Sequence, residues 1–136
     1  MRVTVQAKGS FDVKMAPQAW SDAPADATLG RFLLDKQYHG DLEAASQGQM
    51  LTAGTVEKGS AGYVAIEKVT GTLQGRAGSF AMQHNGVMNR GVPQLTIAIV
   101  PDSGTGELIG LAGTMTILIA EGKHSYELVY TLASIE

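Results

Sequence analysis

Glu67 and His84 stand out as the residues able to move a proton. Glu67 follows Tyr63 and Ala65 at a spacing of two and precedes Val69. His84 follows Phe80 and Met82 at the same spacing. In an extended strand that spacing places each polar residue on one face with its apolar neighbours. A buried glutamate is costly unless paired, and burial alone raises its pKa. A carboxylate meeting an imidazole inside a closed sheet would form a general acid/base couple. Glu67 and His84 are therefore the candidate catalytic residues. With Tyr63, Phe80, Met82 and Tyr126 they also form the candidate lining of a ligand site. A plainer reading competes: Val64 and Ile66 form the more apolar row, so that row would face the core and Glu67 would face water. His84 would then be an interior histidine with its hydrogen bonds met. Arg31, Arg76 and Arg90 suit either an anionic ligand or a surface carboxylate. Tyr63, Tyr126 and Tyr130 suit either a pocket or a core.

Other chemistries find little in this chain. There is no cysteine among its 136 residues, so disulfides, thiolate nucleophiles and thiolate metal sites are excluded. His39, His84 and His124 lie 45 and 40 residues apart, without the close spacing typical of a zinc site. No metal and no cofactor is expected. The segment GTGELIG at 104–110 has its third glycine one position late for a dinucleotide fingerprint, and the strand-like TMTILI follows it rather than a helix. Gly122-Lys123 is followed by His124, so no Walker lysine motif is present, and neither G-x-S-x-G nor H-E-x-x-H occurs.

Charge narrows the partners. Ten Lys and Arg against 13 Asp and Glu give a net charge of −3, which argues against a nucleic-acid footprint or an anionic membrane surface. The most apolar run, Met115 to Ala120, is six residues, against the ~18 of a membrane helix. Lys8 interrupts the start of the chain before any apolar leader core forms. The expectation is a cytoplasmic protein of one domain, residues 1–136.

The elements that would position these residues read as strands. Val3, Val5, Ala7, Phe11, Val13 and Met15 alternate with Thr4, Gln6, Lys8, Ser10, Asp12 and Lys14, and Pro17 ends the strand. Residues 17–28 read as a loop. Phe32, Leu34, Lys36 and Tyr38 alternate with Leu33, Asp35, Gln37 and His39, and Gly40-Asp41 is a hairpin turn. Leu42, Ala44, Ser46 and Met50 share the next row. After a turn at Gly59–Gly62 come the strands carrying Glu67 and His84. A strand from about Leu95 to Val100 ends at Pro101, one follows through Met115, Ile117 and Ile119, and the last carries Tyr126, Leu128, Tyr130 and Leu132.

The blocks GTLQGRAGSF (71–80) and GELIGLAGTM (106–115) agree at five of ten positions, and each leads into a strand. Glycine makes up about one residue in eight, against a usual ~7%. Glycines at such places serve as turns and barrel corners. About eight strands on short turns, with no helical pattern, predict an all-β fold: a closed or nearly closed antiparallel eight-stranded barrel. A two-sheet sandwich is the competing architecture. LTIAIV and MTILIA are apolar on nearly both faces and need cover, either from the 17–28 loop with Trp20 or from a second subunit; a homodimer is expected.

DKQYHGDLEA (35–44), GSAGYVAIEKVTGTLQGRAGSFAMQHNG (59–86), PDSGTGELIGLAGTM (101–115) and HSYELVYTL (124–132) together resemble a bacterial family of uncharacterised function, domain of unknown function 3224. The resemblance implies a calycin-like β-barrel similar to the allene oxide cyclase and dirigent barrels. It implies no catalytic residues, and likeness of fold does not transmit function. Three functions stay open. The first is a barrel binding a small apolar or aromatic molecule in its interior. The second is an isomerase or cyclase using the same cavity. The third is an oligomeric interaction module without a ligand.

Overall fold

The computed structural model describes residues 3–19 and 28–133. Its strands are β1 (Thr4–Pro17), β2 (Leu29–Gly40), β3 (Leu42–Gly54), β4 (Ala61–Leu73), β5 (Arg76–Asn89), β6 (Val92–Ile99), β7 (Ala112–Ala120) and β8 (Lys123–Thr131). Each pairs antiparallel with its chain neighbour, and β8 returns to pair with β1. The result is a closed eight-stranded barrel, as the alternation predicts, and not a sandwich. The only helical element among the described residues is a 3-10 turn, Gly106–Leu108, in the β6–β7 connection. No helix among them is long and apolar enough to cross a membrane.

The period of two sets the interior. Ala7 and Phe11 point inward from β1, Leu34 and Tyr38 from β2, Leu42 and Ala44 from β3, Phe80 and Met82 from β5, and Tyr126, Leu128 and Tyr130 from β8. On β4 the inward row is Ala65, Glu67 and Val69, while Val64 and Ile66 are half exposed. The more apolar row of that strand thus faces out. Register explains this, because cross-strand partners share a face. Glu67 pairs with Gly48 and Met82, and Val69 with Ser46 and Phe80. The inward rows of β3 and β5 therefore fix the orientation of β4, whatever its own composition.

The two ends of the barrel differ. The β2–β3, β4–β5 and β6–β7 connections share one end, where Leu42, Leu73, Leu108, Leu111 and Leu132 are fully buried and form a plug. Both glycine blocks lie there. Their shared second glycines, Gly75 and Gly110, each have φ +85°, a backbone that L side chains rarely adopt. They are turn residues that return the chain after a buried leucine, Leu73 or Leu108, rather than bends within a strand. Among the described residues the opposite end is less closed. Pairing between β6 and β7 is confined to Ile97 with Met115 and Ala98 with Thr114. By contrast, β5–β6 pairing continues to Val92 and β7–β8 pairing to Ala120. Toward this end β6 and β7 part. β6 starts at Val92, three residues before the expected Leu95, and includes Pro93. A proline without an N–H is tolerated there because the strand has no partner on its β7 side. Trp20, considered above as a cover, lies outside the described residues.

Candidate functional site

Glu67 is fully buried at the barrel's centre and is held by four side chains from three other strands. Its Oε1 accepts hydrogen bonds from the Tyr38 hydroxyl at 2.6 Å and the Ser46 hydroxyl at 2.8 Å. Its Oε2 accepts one from the Lys36 ammonium at 2.8 Å and meets His84 Nε2 at 2.5 Å. The register brings these groups together: Lys36 lies opposite Ser46, Gly48 opposite Glu67, and His84 is two residues beyond Met82, the partner of Glu67 on β5. Lys36 is 6% exposed, with its ammonium 5.3 Å from the Phe11 ring centroid and 5.9 Å from that of Tyr38. Such placement over aromatic faces adds a cation–π attraction to the ion pair.

The electrostatics correct one expectation. Burial does push the Glu67 pKa up, but hydrogen bonding from His84, the Lys36 charge and its hydrogen bond, and the Tyr38 hydroxyl together outweigh it and hold the carboxyl at about 2. Glu67 is a fixed anion rather than a proton reservoir. Burial, and then the Glu67 charge beside it, drives the Tyr38 hydroxyl far above the ordinary tyrosine range, so it remains a donor.

Above this network, at the open end, lies a cleft of about 450 Å³ lined by β3, β4, β5 and β6, with Ile119 from β7. Its walls include Met50, Thr52, Met88, Pro93, Gln94, Leu95 and Ile119, and Tyr63 lines it from β4. Tyr63 is half-buried and rests on Gly86, where any Cβ would strike its ring. Burial, and secondarily the Glu67 charge, raise its pKa, and its hydroxyl has no hydrogen-bond partner among the described residues. The Tyr63 and His84 ring centroids are 6.3 Å apart, so Tyr63 separates the cleft from the polar network.

Of the six residues singled out in the sequence, the structure joins Glu67 to His84 and places Tyr63 in the cleft. Phe80 and Met82 are packed in the core, Met82 directly opposite Glu67 and Phe80 one pair further toward the plugged end. Tyr126 is tied to the β2–β3 turn: its hydroxyl accepts the Leu42 N–H at 2.9 Å and donates to the His39 carbonyl at 2.9 Å. The network members missed by sequence reasoning are Lys36, Tyr38 and Ser46. Their signal was present, since a lysine falling in the row of Leu34 and Tyr38 has to be paired. Met50, Met88, Leu95 and Ile119 of the cleft carried no such mark.

The remaining polar candidates lie apart. Arg31 donates to the Gln49 side chain at 3.1 Å, and Arg90 is 3.8 Å from Glu57 at the surface. His39 sits between Asp12 and Glu43, each 3.5 Å away, and His124 packs on the Phe11 ring. No group of three or more His, Asp or Glu side chains among the described residues is placed to hold a metal ion.

Residues 7–130 match the family model described as "Protein of unknown function (DUF3224)". A crystal structure of a protein with unknown function from the DUF3224 family, from Shewanella oneidensis MR-1, is 48% identical to this chain. The match covers 96% of this chain and 98% of that one, with a TM-score of 0.89. No curated protein matches significantly.

Proposed function

The chain belongs to the DUF3224 family, and on that premise we propose that it binds a small apolar or aromatic molecule in the open end of its barrel. The observation that carries this reading is the cleft lined by β3 to β6 and Ile119 of β7. Its volume falls within the ~300–1,000 Å³ of small-molecule sites. Its walls are hydrocarbon and thioether, with Thr52, Tyr63 and Gln94 as the polar exceptions. Met50 and Met88 are soft, adaptable neighbours for a ring. The isomerase reading has less support, because the Glu67 carboxylate is saturated with donors and neither it nor His84 lines the cleft.

A homodimer belongs to the same proposal. Leu51, Val64 and Ile66 are each about half exposed along a shallow groove on the outer face of β3 and β4, and a second copy of the chain would cover them.

Native mass spectrometry of protein taken directly from cells tests both parts. The expected result is a dimer carrying an extra small mass per chain that is shed on collisional activation. A bare, monomeric 14.3 kDa species, together with no saturable response to apolar probes, would refute the reading.

A further inference from the structure

Resting on the cleft as a ligand site, we propose that Tyr63 is its specificity-determining residue, held in place by Gly86, and that the molecule it admits is a ring compound that carries no charge into the cleft.

The argument begins with charge. Every side chain that lines the cleft is uncharged. The ionised pair beneath it, Lys36 and Glu67, is buried and 2.8 Å apart, so each ion already meets its counter-ion. Lys58, Arg90 and Lys123 are exposed on or beside the strand connections of this end and do not line the cleft. Residues 20–27, between β1 and β2 in the chain, include Asp22 and Asp26 but no Lys, Arg or His. A carboxylate or phosphate entering the cleft would shed its water and meet no cation, a cost that apolar contact does not offset.

Shape comes from a pair of residues. Tyr63 and Gly86 stand directly opposite on β4 and β5, and both line the cleft. His84, Gly86 and Met88 share one row of β5, so Gly86 leaves a gap between two large side chains. The Tyr63 ring fills it: a Cβ on Gly86 would overlap ring atoms Cδ1 and Cε1. A glycine inside a strand marks such a close approach. No hydrogen bond holds the ring there, because its hydroxyl has no partner among the described residues. Toward the network, space is taken by the His84 ring, 6.3 Å away between centroids and itself tied to Glu67. A side chain at position 86 would therefore drive the Tyr63 ring into the cleft. With glycine there, the ring lies back against β5 and gives the cleft an aromatic wall. That wall and the Met50 and Met88 thioethers suit a ring through aromatic and sulfur–aromatic contact.

The test uses methyl-labelled native protein at neutral pH and two probes of similar shape, uncharged 2-naphthol and anionic 2-naphthoate. 2-Naphthol should shift the Met50 and Met88 methyls saturably, and 2-naphthoate should bind at least roughly tenfold more weakly. Tyr63→Ala should weaken 2-naphthol roughly tenfold. Gly86→Ala should cost a similar factor in the native background and nothing in the Tyr63→Ala background, because the glycine acts through the ring. Equal or reversed affinities for the two probes overturn the charge assignment. Unaltered affinity in Tyr63→Ala, or a Gly86→Ala loss that is absent from the native background or persists without the ring, overturns the pairing of Tyr63 with Gly86. In each of those results the methyls still respond and the cleft reading survives. If neither probe moves them, the cleft reading fails and this inference falls with it.

Discussion

The plugged and open ends of this barrel use the same eight strands for opposite purposes. At the plugged end, leucines from two matching glycine-ended turns fill the interior, and the Tyr126 hydroxyl anchors the β2–β3 turn. At the open end, β6 and β7 lose contact after two paired positions, and the inward rows continue as cleft walls. Between the ends lies the charged network around Glu67. The comparison teaches that stability and recognition are divided along the barrel axis. The network is the boundary between them, with the packed core on one side and Tyr63 on the other.

Four perturbations sharpen that division. The largest effect should come from the boundary. Lys36→Met removes one partner of a buried ion pair and leaves an underpaired carboxylate, with an expected loss of about 3–5 kcal/mol in denaturant unfolding. A loss under about 1 kcal/mol would mean that the pair is not desolvated as described. Next, Leu73→Ala at the plugged end should cost about 2–5 kcal/mol, while Leu95→Ala at the open end should cost under about 1 kcal/mol and weaken probe binding instead. Equal losses would erase the distinction between the ends.

Acid should act on the boundary as well. Glu67 has a folded-state pKa of about 2, below its ordinary 4.5. A depressed carboxylate contributes stability that is fully present above the unfolded value. That contribution, about 3 kcal/mol, is lost as pH falls from roughly 4.5 through 2. Glu67→Gln should flatten this part of the pH–stability profile; an unchanged slope would place the acid sensitivity elsewhere. The smallest effect is expected from Tyr126→Phe, which frees the buried Leu42 N–H and should cost about 1–2 kcal/mol, with probe affinity unaltered.

Much of this division can be read in the residues, but not all of it. The closed antiparallel barrel follows from alternation and short turns, which are local properties. Glu67 and His84 were visible as polar residues in apolar rows. The orientation of β4 was not, because Val64 and Ile66 outweigh Ala65 and Glu67 within that strand alone; the neighbouring registers decide it. Lys36 was hidden by its type, since its justification lies 31 residues away in Glu67. Together with the hydrogen bonds from His84 and Tyr38, its pairing reverses the expected direction of the Glu67 pKa. The cleft was least legible. It arises where pairing between β6 and β7 stops, and Pro93 inside β6 is the single local trace of that break.

The cleft's claim to bind an apolar molecule is tested most directly by its methionines. Met50 and Met88 line the cleft, whereas Met82 and Met115 are buried in the core. Titration of methyl-labelled protein with 2-naphthol should produce saturable shifts at Met50 and Met88 and leave Met82 and Met115 in place. Shifts centred on Met82 and Met115, or no saturable shift at any of the four, would contradict the account.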